Sequence, residues 1–237
     1  LDRMFEFITE TWNPVAGACP YECSYCWAKD LINRYKYAKY QGPPRLDEKA
    51  MKKIPDKGFI FVQDMSDIGV LDLENSRLLF TEIFWKHGAT WLFLTKNPAY
   101  YRWLNLNGVN FGGNMILGAT IETDIESVIT ANSKAPNAYS RLEAMRKLSQ
   151  EVHTPLFVSV EPVMRFSPDF AKKILALKPM LWGVAIGYDN YNNNLDEPSS
   201  EAVKDLGYDL VLNGVKVYWK TIREAHVPHQ LTKDVAK

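Results

Sequence analysis

The apolar positions along the chain fall into two kinds of pattern that take turns. Short continuous runs occur at Gly58–Val62, 90–94, 115–121, 155–160, Leu181–Ile186 and 215–219. None alternates with a period of two, as expected of parallel strands buried on both faces. A β-rich stretch at 5–12 precedes them and is stopped by Asn13-Pro14. Between the runs, apolar residues recur at three and four, which is the helical spacing. From Trp27 the repeat is Trp27, Leu31, Ile32, Tyr35 and Ala38, closed by Gln41-Gly42-Pro43-Pro44. Further helices are expected at about 74–87, 99–106, 140–152 (with Leu142, Met145 and Leu148 on one face), 170–177 and 199–207. The polar run 189–194 is read as a loop and the softest point.

This β/α alternation continues without a change of character and without a low-complexity segment. It predicts a single-domain α/β fold, a partial or near-complete parallel TIM-type barrel over 1–237 with a short tail from about 223. In such folds ligands sit at the carboxyl ends of the strands. Those ends are polar here: the loop after the first strand, Gln63-Asp64-Met65-Ser66-Asp67, Thr95-Lys96, Glu122, Glu161, Asp189-Asn190, and Lys220 after the last strand. Singly, a Ser, Asp, Thr or Asn in such a place caps a helix; together they describe a polar mouth above apolar strands.

Composition narrows the classes. The 237 residues, 46% hydrophobic, suffice for a sizeable core, and 28 basic residues balance 28 acidic ones. No global field draws the chain to nucleic acid or anionic membrane. No apolar run approaches the ~20 residues of a membrane span. The first residues lack the basic start and apolar core of an export signal, so a cytoplasmic protein is expected.

All three cysteines lie in eight residues, Cys19, Cys23 and Cys26, spaced C-x3-C-x2-C. Thiols gathered this closely are metal ligands more often than disulfide partners, and an odd count leaves one unpaired. Soft sulfur favours zinc, copper(I) or an iron–sulfur cluster. Zinc needs a fourth ligand. His87 and His153 are expected at helix ends or in loops, and His226 and His229 flank Val227-Pro228 in the tail. A three-thiolate [4Fe-4S] cluster with one open iron suits this donor set best.

With Tyr25 directly before the third cysteine, the motif resembles that of the radical S-adenosylmethionine (SAM) superfamily. Trp12-Asn13-Pro14, Met65-Ser66-Asp67, Leu94-Thr95-Lys96 and Trp219-Lys220 are similar to motifs of its phage-associated branch, over roughly residues 8–222. The resemblance implies that Cys19, Cys23 and Cys26 hold three irons and that SAM chelates the fourth through its amino and carboxylate groups. It implies reductive cleavage of SAM to methionine and a 5′-deoxyadenosyl radical that takes hydrogen from substrate, with flavodoxin or ferredoxin as electron donor. Tyr25 then lies near the adenine, and Gln63, Asp64, Ser66 and Asp67 replace the superfamily's usual amino-group segment. Thr95 lies beside Lys96, which meets the SAM carboxylate, Glu122 takes the ribose hydroxyls, and the Gly183–Gly187 strand backs the adenine. Glu161 and Lys220 are the substrate-side candidates, with a mutual ion pair as the alternative. The substrate stays open between a nucleotide or nucleic acid and a small metabolite or peptide, and a metal-stabilised binding protein without turnover is the reading from another class. The run Tyr35-Lys36-Tyr37-Ala38-Lys39-Tyr40 either engages phosphates and bases or is a solvated helix face.

Overall fold

A computed structural model describes residues 4–226; His229, and the tail beyond His226, lie outside the described residues. The elements in order are β1 (Glu10–Trp12), β2 (Val15–Ala16), α1 (Trp27–Tyr35), β3 (Arg45–Leu46), α2 (Glu48–Met51), β4 (Gly58–Val62), α3 (Leu73–Phe84), β5 (Ala89–Thr95), α4 (Ala99–Leu106), β6 (Met115–Thr120), α5 (Glu126–Thr130), α6 (Ala138–Glu151), β7 (Leu156–Val160), α7 (Phe170–Leu175), β8 (Leu181–Ile186), α8 (Ser200–Leu212) and β9 (Val217–Trp219). Seven strands form one parallel sheet in the order β1-β4-β5-β6-β7-β8-β9. The sheet curls into a half-barrel, so of the two expected forms the partial barrel is the one adopted. No described helix is long and apolar enough to cross a membrane.

The central strands β5, β6 and β7 bury both faces. Ile60, Val62, Trp91, Phe93, Leu117, Val158 and Ile186 pack outward against the helices. The alternate positions Phe61, Leu92, Ile116, Phe157, Ala185 and Tyr218 face inward and form a separate cluster with Phe5 and Ile8. This explains why the 5–12 stretch is a strand over 10–12 alone. Ile8 N turns back to Phe5 O, and Phe5 inserts edge-on against Phe61 and Phe157. The stretch is apolar because it floors the half-barrel, not because it extends the sheet.

Caps set the helix starts. The carboxylate of Asp72 accepts from Asn75 N at 2.8 Å, the amide oxygen of Asn137 from Ser140 N at 2.7 Å, and the hydroxyl of Ser199 from Ala202 N at 3.2 Å. α1 ends three residues before the expected Ala38, because Lys36 takes the left-handed conformation (φ 50, ψ 45) and its N–H returns to Ile32 O. α6 buries Met145 and Leu148 as expected, with Leu142 half-buried against the core, and adds Arg141 and Ala144 to that face. The 189–194 loop is tied rather than soft. The Asp189 carboxylate accepts from Asn193 N at 2.7 Å and Tyr191 N at 3.2 Å.

Candidate functional site

The cysteine loop follows β2, between the two strands of the small β2–β3 pairing, and lies over the carboxyl ends of the central strands. It is fastened at both ends. Gly17 N and Ala18 N donate to Lys39 O and Gly42 O at 2.9 and 2.8 Å. Gly17 has φ +95, and a side chain there would collide with the backbone of Pro43 and Pro44. On the other side Ser24 N donates to Asn132 O (2.9 Å), Ser24 Oγ to Asn132 Oδ1 (2.8 Å), and Lys134 N to Tyr21 O (2.7 Å). Cys23 Sγ lies 3.2 Å from Ser133 Oγ. Tyr21, Tyr25, Val128, Met164 and Leu195 form an apolar jacket around Cys23, with Cys19 and Cys26 packed against it. All three thiols are free. Burial pushes Cys19 up to about 12 and also raises Cys26.

Among the described residues no three His, Cys, Asp or Glu side chains converge on a point where a single metal ion would sit. A cubane makes a different demand, since each thiolate binds a separate corner and the ligands stand apart. Three soft donors on one fixed loop, with no histidine or carboxylate gathered among them, suit the cluster better than a tetrahedral ion.

Beneath the loop lies a buried ionic network. Glu122, at the end of β6, has no solvent exposure. Its Oε1 accepts from both Tyr25 Oη and Lys96 Nζ, and its Oε2 accepts from Arg141 Nη1 at 2.6 Å. Lys96 Nζ sits 4.9 Å over the Tyr25 ring. Arg141 is 1% exposed and also donates to Pro136 O (2.6 Å) and Thr120 O (3.0 Å). Burial alone would raise the Glu122 carboxyl, but Lys96 and Arg141 together hold it down at about 2. Tyr25 is pushed far up, first by burial and then by the Glu122 charge, so its phenol stays a donor. Both Glu122 oxygens are thus engaged by this chain, and Lys96 faces Glu122. Arg141 escaped the sequence reading; its signal is its place on the Met145–Leu148 stripe, because an Arg on an apolar face needs a buried partner.

The exit of β4 is different. Gln63, with φ +71, accepts from Val15 N through Oε1 at 2.8 Å. Its Nε2, together with Asp64 Oδ1 and Ser66 Oγ, is buried and has no hydrogen-bond partner among the described residues. Three adjacent unmet polar atoms are costly in a finished protein and fit a polar ligand with donors and acceptors. Burial raises the Asp64 carboxyl. Asn13 holds this exit, its Oδ1 accepting from Asp64 N (3.0 Å) and Met65 N (3.4 Å).

Asp67 and Thr95 are spent on each other. Asp67 accepts from Thr95 Oγ1, from Gly69 N at 2.7 Å and from Lys96 N at 2.8 Å, which ties the β4 exit to the β5 exit. Burial still leaves the Asp67 carboxyl raised. Thr123 caps the next loop, accepting from Ile125 N and donating to Arg165 O.

At the β7–β9 side, Glu161 is half-buried and makes no hydrogen bond or ion pair with a described residue. Burial raises its carboxyl, while the Lys220 charge opposes this. Lys220 Nζ turns away to Met4 O, 5.1 Å over the Phe5 ring. A Cβ on Gly187 would come 2.6 Å from Lys220 Cβ and 3.5 Å from Glu161 Oε1, so this glycine lets the two side chains pass. Gly183 lies against the Tyr218 ring.

No protein-family model and no curated protein matches the chain. Solved structures do. One spore photoproduct lyase variant has a TM-score of 0.62 and 13% identity, with 93% of this chain and 81% of that one covered. Another, with dinucleoside spore photoproduct, has a TM-score of 0.62 and 15% identity, covering 87% and 75%. SuiB of Streptococcus suis bound to S-adenosylmethionine has a TM-score of 0.51 and 8% identity, covering 93% of this chain and 51% of that one. At these identities the shared property is the fold: a curled parallel half-barrel, here with its cysteine loop over the carboxyl-terminal edge.

Proposed function

We propose that the chain is a radical SAM enzyme. The observation that carries this is the set of three free cysteines, held by the protein itself on a loop above the strand ends of a half-barrel. The fold is one it shares with spore photoproduct lyase and SuiB, both radical SAM enzymes. Cys19, Cys23 and Cys26 hold a [4Fe-4S] cluster, and the unmet Gln63 Nε2, Asp64 Oδ1 and Ser66 Oγ receive the amino-acid end of SAM. When bound, the pair supplies reductive cleavage of SAM to a 5′-deoxyadenosyl radical that takes hydrogen from substrate.

The chain's own part is placement and exclusion of water. Tyr25 and Lys96 set the loop on Glu122. Asp67 and Thr95 keep the β4 and β5 exits in register. The aromatic floor closes the inner end of the half-barrel. Glu161 is the substrate-side carboxylate, and Lys220, across Gly187 from it, reaches substrate by leaving Met4 O. The electron comes from a flavodoxin or ferredoxin. The substrate is a nucleotide or nucleic acid, in line with the dinucleoside lesion held by one structural neighbour.

Anaerobic reconstitution with iron and sulfide tests the reading. The expected result is a reducible cluster and 5′-deoxyadenosine from SAM, both lost in Cys23→Ala with the fold intact. A protein that takes up zinc alone, or a reduced cluster that yields no 5′-deoxyadenosine, sinks it.

A further inference from the structure

Overall charge is balanced, yet residues 27–53 hold eight basic residues against three acidic ones. The structure divides this stretch in two. Lys39 and Tyr40 serve the fold: Lys39 Nζ donates to Asn13 O at 2.6 Å and pairs with Asp47 at 3.5 Å, and Tyr40 is buried. Tyr35 and Tyr37 do not. They are 58% and 44% exposed and stack on one another, ring centroids 5.7 Å apart and 28° from parallel. The pair straddles the end of α1: Tyr35 is its last residue, and the left-handed turn at Lys36 carries Tyr37 past it. Arg34 and Lys36 alternate with the two tyrosines along the chain, both exposed and neither in an ion pair with a described residue. Of the three acids in the stretch, Asp47 is already taken by Lys39 and by the Ala50 amide at the start of α2.

Position matters as much as composition. The turn after the tyrosines carries Lys39 O and Gly42 O, which accept from Gly17 N and Ala18 N. The patch is therefore joined by hydrogen bonds to the residues directly before Cys19. Exposed stacked rings with free cations beside them match a polyanion whose bases have open faces; a duplex, with its bases already stacked inside, offers none.

We infer that this patch binds single-stranded nucleic acid, the tyrosine pair stacking on a base and Arg34 and Lys36 holding the adjoining phosphates. The inference rests on the proposed function for its link to the mouth, and it deepens that reading by naming the substrate class. Binding itself needs neither cluster nor SAM.

Fluorescence anisotropy on the full chain, with a labelled oligonucleotide of about 12 nucleotides, tests it. The single strand should bind more tightly than its duplex, and affinity should fall steeply from about 50 to about 200 mM salt. Tyr35→Ala with Tyr37→Ala should weaken binding by about tenfold or more, and phenylalanine at both positions should restore most of it. Arg34→Ser with Lys36→Ser should weaken binding and flatten the salt slope. Lys178→Ser with Lys204→Ser removes the same charge on the α7–α8 side, where both lysines are exposed, and should leave binding unchanged. No binding at low salt, preference for the duplex, or equal loss in the Lys178 and Lys204 variant would overturn the inference. Scoring 5′-deoxyadenosine in the same preparations separates the two ideas: a preparation that binds the strand but cleaves no SAM counts against the chemistry and not against this surface.

Discussion

Glu122 and Glu161 are two strand-end carboxylates in opposite states, and their replacement should have opposite effects. Glu122 lies between Lys96 and Arg141 without solvent. Glu122→Gln leaves two buried cations facing an amide and should cost about 3–5 kcal/mol in urea unfolding at neutral pH. Its carboxyl is lowered from 4.5 to about 2. The stabilisation is therefore complete above about pH 4.5 and is lost as pH falls towards 2, where wild type and variant should converge. Burial acts most strongly on Lys96 and lowers it, but Glu122 and the Cys23 charge together outweigh this and leave it raised, so its share is complete below the ordinary lysine value and lost at higher pH. Glu161 has no such partner, and its carboxyl is raised by burial. Its ionised form is a cost to the fold that grows as pH rises through and above the usual carboxylate range. Glu161→Gln should raise the melting temperature at neutral pH by about 2–4 °C, lose that gain below about pH 4.5, and abolish turnover of substrate while SAM cleavage persists.

At the scale of elements, β4 and its exit show what a linear reading can reach. The strand itself is an uninterrupted apolar run and was legible to the residue, as were α4 and β8. The β2–β3 pairing was not, since two residues a side give no period to read. α6 was found with Met145 and Leu148 on its buried face, but Arg141 was missed, because it reads as polar until the ion partner at Glu122 is known. The cysteines were legible because their spacing is local. The Tyr25–Glu122–Lys96–Arg141 network was not, because its members come from four separate segments and meet through the curl of the sheet. Asn13 was visible as part of a motif, but its task needed the structure. Asn13→Ala removes the acceptor for Asp64 N and Met65 N and should speed hydrogen exchange at those two amides, with a global cost of about 1–2 kcal/mol.

At the scale of the whole molecule, the half-barrel has an apolar floor, a polar rim and two layers of core either side of one sheet. Alternation along each parallel strand assigns one side to stability and the other to a cup. The floor is filled by the chain's own Phe5 and Ile8, so the cup opens at the carboxyl ends, where the cysteine loop, the unmet β4 atoms and Glu161 all lie.

The cysteine loop is anchored by Asn132, Lys134, Lys39, Gly42 and Glu122 through bonds that do not involve sulfur, with the Cys23 Sγ contact to Ser133 Oγ added to them. On the proposed function, folding would therefore be separate from cluster binding, unlike small metal-nucleated domains where the ion is the core. A strong iron chelator should strip the reconstituted protein of its visible absorbance while the unfolding midpoint stays nearly where it was, and iron and sulfide should restore the colour without a refolding step.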